Sequence, residues 1–157
     1  MLIGPIPYRS RHLFFAQSVE IRRSPKQIWP YLVEQDHLER WMAEAHDVRI
    51  EGGRFQGLGA EAEATIRIAG ITTRDRIRVT RWEPPAVLEM EHLGWVGGRG
   101  YMELGPGQEG TRLFWREELV PPWGLLGRMG MRLFAPAIRR TFLGDLERLQ
   151  RLVEVES

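Results

Sequence analysis

The residues of this sequence best suited to chemistry are Asp75, His92 and Glu117, each of which interrupts an alternating run of apolar side chains. Alternate residues of a strand share one face of a sheet, so all three are expected to point toward the core. A buried carboxylate beside an imidazole can act as a general acid and base, or it can bind the polar end of a ligand. The trio could also do no more than satisfy its own hydrogen bonds. We expect a binding role first and keep catalysis by these residues as the alternative.

The turns between the predicted strands determine which of these residues lie opposite one another, because hairpin partners are mirrored about the turn. A turn at 69–70 places Ala64 opposite Asp75. A turn centred on 83–84 places Asp75 opposite His92. This arrangement predicts direct contact between the carboxylate and the imidazole.

The same pairing, continued through the later turns, predicts two inward-facing rows of side chains. The first row is Ala64, Asp75, His92, Met102 and Trp115, and the second is Ile66, Thr73, Gly94, Gly100 and Glu117. The two glycines remove side-chain volume beside Glu117, which would suit a ligand or an ordered water. Glu117 is therefore expected one row away from the Asp75–His92 pair.

These side chains depend on a chain order of one strand, two short helices, six strands and one long helix. Period-two alternation predicts strands at 13–22, 46–52, 60–68, 71–82, 86–95, 99–105 and 111–120. Ser24 and Pro25 predict the start of the first helix, and Asp36 is expected to cap a second helix over 36–42. After Pro122 the apolar spacing becomes helical, with a kink expected at Pro136. One antiparallel sheet with one long covering helix is an α+β architecture.

Several apolar side chains are expected to line a cavity together with the three titratable residues. The expected ligand contacts are Trp41, Ala64, Ile66, Thr73, Asp75, Ile77, Met90, His92, Met102, Trp115, Glu117, Met129, Leu133 and Phe142. Aromatic residues at helical or strand spacing can instead form plain core. The stretch 123–133 allows two interpretations: an apolar lid or membrane-touching patch, or the start of a packed helix.

The composition indicates one soluble domain without a strong overall charge. The chain has 157 residues with 22 basic and 21 acidic side chains, so no global field favours nucleic acid or an anionic membrane. Cysteine is absent, which excludes disulfides and thiolate chemistry and fits the cytoplasm. The four histidines lack metal-ligand spacing, and the apolar stretch 123–138 is too interrupted to span a membrane. We expect an extended arm at 1–12, one domain at 13–157, and no metal or cofactor.

Short segments in a fixed order make the sequence resemble the START-like superfamily, also called SRPBCC. They are Ser18–Ile21, Ser24–Pro25, Ile28–Trp29, Leu38–Trp41, Arg78–Pro85, Gly110–Leu113 and Asp145–Leu149. The polyketide cyclase or dehydrase-type bacterial branch is the most similar. The resemblance implies a helix-grip fold, in which a curved seven-stranded antiparallel sheet wraps around a long C-terminal helix. It also implies a cavity for a lipid, an isoprenoid or a polyketide, and it carries no shared catalytic motif.

The expected function is therefore binding or transport of one hydrophobic or amphipathic small molecule, with its polar end at Asp75, His92, Thr73 or Glu117. An enzyme of the cyclase, dehydratase or hydrolase type would use Asp75 and His92 as acid and base on a carbonyl-containing ligand. A module that binds another protein through the arm or through the 123–133 stretch is the third possibility.

Overall fold

The computed structural model describes residues 12–157, which form one curved sheet, two short helices and one long helix. The strands are β1 (Leu13–Ile21), β2 (Ala45–Ile50), β3 (Glu61–Ile68), β4 (Ile71–Glu83), β5 (Val87–Leu93), β6 (Gly97–Pro106) and β7 (Thr111–Val120). The helices are α1 (Pro25–Val33), α2 (Gln35–Trp41) and α3 (Gly124–Glu156), with a 3-10 turn at Glu51–Gly53. The arm predicted at 1–12 lies outside the described residues except for His12.

The seven strands form one antiparallel sheet in the order β1-β7-β6-β5-β4-β3-β2. From β2 to β7 the spatial order follows the chain, so neighbouring strands are joined as hairpins. β1 pairs with β7 along its whole length and forms one edge. The predicted α+β helix-grip architecture, with two short helices after the first strand, is confirmed.

The predicted pairing is confirmed in the hairpins on either side of the sheet's centre. β3 and β4 pair Ala64 with Asp75 and Ile66 with Thr73, and β6 and β7 pair Met102 with Trp115 and Gly100 with Glu117. Both hairpins have turns where glycine-rich sequence predicts them, so their mirror symmetry is read correctly from the sequence.

The pairing predicted on both sides of β5 is wrong. His92 lies opposite Ile77 and Gly98 instead of Asp75 and Met102. The turn between β4 and β5 is centred later in the sequence than predicted, and a bulge in β4 shifts the register further. The turn between β5 and β6 is centred earlier than predicted. Each error moves the partner by an even number of positions, so the inward face of every strand stays as predicted.

The start of α1 follows from local sequence. The backbone N–H of Gln27 donates to Ser24 Oγ at 3.4 Å, and the Ser24 N–H donates to Gln27 Oε1 at 3.0 Å. This reciprocal capping box satisfies two N–H groups that the first helical turn leaves without partners. Pro30, which has no N–H to donate, lies in the last turn, and α1 ends at Val33.

The other two helices depart slightly from the predicted boundaries. α2 begins at Gln35, so the predicted cap Asp36 lies in its first turn. A carboxylate there stabilises the helix by its interaction with the positive end of the helix dipole. α3 begins after Trp123, whose φ of 62° is left-handed, and it continues through Pro136 without a break in the helix.

The apolar stripe predicted along all of α3 is buried only from Ala135 onward. Ile138, Phe142, Leu146, Leu149 and Val153 are buried, whereas Leu125, Leu126, Met129 and Leu133 are exposed. The start of α3 therefore does not pack as ordinary core. No helix within residues 12–157 is long and apolar enough to cross a membrane.

Candidate functional site

A cavity of about 400 Å³ lies between the sheet and α3, and aliphatic and aromatic side chains make up most of its wall. The expected ligand contacts that line it are Ala64, Ile66, Thr73, Asp75, Ile77, Met90, His92, Met102, Trp115, Glu117 and Phe142. Strands β3 to β7 contribute all of these residues except Phe142, which comes from α3. The strand alternation therefore predicts the inner wall of the cavity correctly.

Three residues expected at the cavity lie elsewhere. Trp41 is fully buried behind the wall, where its indole N–H donates to the carbonyl of Tyr31 at 2.9 Å and its ring packs edge-on against Trp115. Met129 and Leu133 lie on the solvent side of α3, with 58% and 82% of their surfaces exposed. The neighbouring Gly130, Met131 and Phe134 line the cavity, so the inward face of this part of α3 is rotated from the predicted stripe.

The side chains of the three titratable residues form one hydrogen-bonded cluster in the cavity wall. His92 Nδ1 lies 2.7 Å from Asp75 Oδ2, which confirms the predicted contact, and His92 Nε2 lies 2.9 Å from Glu117 Oε2. The indole N–H of Trp115 donates to Glu117 Oε1 at 2.7 Å. The side chains of Asp75, His92 and Glu117 are 16%, 15% and 7% exposed, so the cluster is largely withdrawn from water.

The contact between His92 and Asp75 forms although the two residues are not cross-strand partners. Asp75 lies two positions along β4 from Ile77, the residue opposite His92. Diagonal neighbours on one face of a sheet are within reach of long or aromatic side chains. An imidazole and a carboxylate therefore span the two-residue offset that the bulge in β4 introduces.

Two glycines of β6 allow His92 on β5 to reach Glu117 on β7. Gly98 pairs with His92, and Gly100 pairs with Glu117, so β6 presents no side chain between them. A Cβ atom on Gly100 would lie only 2.7 Å from Glu117 Oε1. The prediction of a glycine gap beside Glu117 is correct at Gly100, but Gly94 follows β5 and lies against Asp75 instead.

The environment of His92 favours its protonated form. Burial by itself lowers the pKa of the imidazole, but the hydrogen bonds and negative charges of Asp75 and Glu117 outweigh burial and raise the pKa to about 10. With both ring nitrogens protonated, His92 donates to one carboxylate on each side. At neutral pH the three residues then carry two negative charges and one positive charge.

A second pair of carboxyls, Glu44 and Asp145, lies near these three side chains and was not predicted from the sequence. Both are buried, at 3% and 0% exposure, and Glu44 lines the cavity. The backbone N–H of Ala43 and the guanidinium of Arg148 donate to Asp145 Oδ1 at 2.9 Å and 3.1 Å. Asp145 follows Phe142 by three residues on the apolar face of α3, so helical spacing could have found it. Glu44 lies in a turn that has no periodicity.

A proton shared between Glu44 and Asp145 accounts for the geometry of this pair. Glu44 Oε2 and Asp145 Oδ2 are buried, and neither has a hydrogen-bond donor among the described residues. Burial raises the pKa of Glu44 well above its usual range, and the Asp145 hydrogen bond and the charges of Asp145 and Glu117 raise it further. A proton on the Glu44 carboxyl would supply the donor that these two oxygens lack. Within residues 12–157 no group of side chains is arranged to hold a metal ion.

Comparison with known proteins gives one family and a widely shared fold. Residues 13–154 match the family model described as polyketide cyclase/dehydrase and lipid transport. The Mycobacterium tuberculosis protein MT1597 is 29% identical over 137 residues, covering 83% of this chain and 89% of that protein. Among solved structures, the Thermus thermophilus protein TTHA0849 has a TM-score of 0.72 at 14% identity, covering 93% of this chain and 99% of its own. Ara h 8.0201 has a TM-score of 0.68 at 10% identity, covering 92% and 99%.

Proposed function

Because the chain belongs to the polyketide cyclase/dehydrase and lipid transport family, we propose that it binds one hydrophobic or amphipathic small molecule in the cavity between the sheet and α3. The observation that carries the proposal is a cavity of about 400 Å³ whose mostly apolar wall contains the hydrogen-bonded side chains of Asp75, His92 and Glu117. Small-molecule sites combine an apolar wall with a few polar groups in this way. The absence of cysteine supports a cytoplasmic location as part of the same proposal.

The polar groups of the wall favour a ligand that donates hydrogen bonds. Both nitrogens of His92 already contact carboxylates, so the imidazole has no N–H left for a ligand carbonyl. Asp75 Oδ1 is a buried acceptor without a hydrogen-bond partner among the described residues. Two carboxylates with one imidazolium also leave a net negative charge. A hydroxyl or ammonium group therefore complements this wall, whereas a carboxylate would be repelled.

The geometry supports binding better than acid–base catalysis by Asp75 and His92. A general base must be unprotonated at the working pH, and proton transfer is most efficient when the pKa of the group lies near that pH. The pKa of His92 is about 10, so the imidazole holds its proton at pH 7. Unchanged turnover of a substrate by both Asp75→Asn and His92→Ala would remove the catalytic alternative.

Binding can be tested by calorimetric titration of the protein with decanol, decylamine and decanoate, three probes that share one chain and differ at the polar end. We expect decanol and decylamine to bind more tightly than decanoate. Asp75→Asn should weaken decylamine binding about tenfold or more, because a charge-assisted hydrogen bond is lost. The exposed Asp36→Asn is the matched control and should bind all three probes as the wild type does.

A second variant tests whether the probes occupy the cavity. Ala64 lines the wall on β3, and Ala64→Trp would fill part of the space with an indole ring. Loss of binding for all probes, in a variant that keeps its circular dichroism spectrum, would support the proposal. Equal affinity of Ala64→Trp and wild type would contradict it, as would tighter binding of decanoate than of decylamine.

A further inference from the structure

A group of large apolar side chains is exposed around the opening of the cavity. We define the mouth surface as Trp95, Trp123, Leu125, Leu126, Met129 and Leu133, whose exposures range from 50% to 82%. Single exposed apolar residues are ordinary, but a contiguous group on a monomer marks an interaction site. Four of the six lie in the first turns of α3.

The mouth surface is continuous with the inside of the cavity. Trp95, Trp123 and Leu126 line the cavity and are also exposed to solvent. The rings of Trp95 and Trp123 pack edge to face with their centroids 5.0 Å apart, which joins the β5–β6 turn to the start of α3. A molecule entering or leaving through this opening would cross an apolar rim.

The charged residues of the segments around the mouth are all arginines, although the whole chain is balanced. These segments are 66–74, 93–98 and 121–134, and they contain no Asp or Glu. Their charged residues are Arg67, Arg74, Arg128 and Arg132. None of the four forms an ion pair within the described part of the chain. Across the full sequence, by contrast, 22 basic residues face 21 acidic ones.

We propose that the mouth surface docks against an anionic lipid bilayer, with α3 lying in the interface and the cavity opening toward the acyl chains. Exposed Trp and Leu combined with unpaired Arg on one helix is the pattern of an interfacial amphipathic helix. Each Arg near an anionic leaflet contributes attraction that salt screens. A second copy of the chain fits less well, because a two-fold contact through this face would bring both sets of arginines together. An acidic protein partner would account for the arginines but not for the large exposed apolar surface.

Vesicle co-sedimentation without any cavity ligand tests this docking independently of the proposed function. The vesicles are phosphatidylcholine alone or phosphatidylcholine with 30% phosphatidylglycerol, in 50 mM and 500 mM NaCl, a choice of conditions set by the screening length of about 10 Å near 0.1 M salt. We expect binding to the anionic vesicles at low salt, a tryptophan emission shift to shorter wavelength, and weaker binding at high salt. The double variant Arg128→Gln/Arg132→Gln should bind about tenfold or more weakly, from roughly fivefold per Arg.

Matched variants at the other end of α3 separate this surface from general stickiness. Leu125→Asp/Leu133→Asp should abolish binding, whereas Val155→Asp and Arg151→Gln should bind as the wild type does, although Val155 is 84% exposed. Equal binding to neutral and anionic vesicles, no binding at low salt, or equal losses in the control variants would overturn the proposal. A wild-type dimer in light scattering that the Leu125→Asp/Leu133→Asp variant lacks would also overturn it, by showing that a second copy covers the face.

Discussion

Two buried acidic clusters share the wall of the cavity, and they keep their carboxyls out of water in different ways. In the His92 cluster, an imidazolium lies between Asp75 and Glu117 and donates to both at 2.7 Å and 2.9 Å. In the Glu44–Asp145 pair, the nearby guanidinium of Arg148 reaches only Asp145. Burial thus favours an ion-paired arrangement where a cation fits between the carboxyls, and a protonated carboxyl where none does.

The difference also predicts how the two clusters affect each other. The negative charge of Glu117 is among the causes that raise the pKa of Glu44. A change that removes charge from the His92 cluster therefore changes how firmly Glu44 holds its proton. Variants that remove the His92 cation or the Glu44 proton test this difference, and an exposed ion pair serves as the comparison without burial.

Removing the cation from the His92 cluster should have the largest effect. His92→Ala leaves Asp75 and Glu117 facing each other in a largely dry wall, and breaking a buried ion pair in this way costs about 3–5 kcal/mol. Urea unfolding at pH 7 measures the loss. The triple variant Asp75→Asn/His92→Gln/Glu117→Gln buries no charge and should recover much of the stability. A loss below about 1 kcal/mol in His92→Ala would show that the carboxylates do not depend on the imidazolium.

The pH dependence of stability should show the same proton on His92. The pKa of His92 is raised to about 10 in the folded protein, above its ordinary value of 6.5, so its stabilisation is complete below pH 6.5 and is lost as the pH rises toward 10. Over that window the free energy of unfolding should fall by at most about 1.4 kcal/mol per pH unit. Glu44 and other groups also titrate as the pH rises, so the contribution of His92 is the part of the slope that His92→Gln removes. A slope that persists unchanged in His92→Gln would contradict this assignment.

Replacing the shared proton by an amide should have a smaller and opposite effect. The raised pKa of Glu44 means that its contribution is complete in acid and is lost as the pH rises through the folded-state pKa. Glu44→Gln offers Asp145 an N–H donor that does not titrate, so we expect a gain of about 1 kcal/mol at pH 8 and none at pH 4. Unfolding at both pH values measures it, with exposed Glu147→Gln as the control. Destabilisation at pH 8 would contradict the shared proton, by showing that an amide cannot replace the Glu44 carboxyl beside Asp145.

Strand alternation made the His92 cluster predictable, although the exact register was not. The turn before β5 and the bulge in β4 move His92 away from Asp75 by an even number of positions, so both still face the cavity and touch diagonally. A turn's centre depends on its backbone conformation, which proline-rich sequence does not specify well. Glu44 was not predicted because it lies in a turn, where no regular spacing of apolar residues shows which side chains point inward. The exposed start of α3 was not predicted because amphipathic spacing does not show how much of an apolar stripe the rest of the protein covers.

Removing an ion pair on the outer face of the sheet should have the smallest effect on stability. This variant tests whether burial or pairing distance determines the stability losses expected in the cavity wall. Arg81 Nε lies 2.8 Å from Glu83 Oε1, about the same distance as between His92 and Asp75, but both partners are about half exposed. Water and salt screen such a pair, and ordering two long side chains offsets much of the attraction. We therefore expect Arg81→Gln to unfold at the wild-type urea midpoint within error, at low and at high salt. A loss comparable to that of His92→Ala would mean that pairing distance, and not withdrawal from water, determines the strength of the His92 cluster.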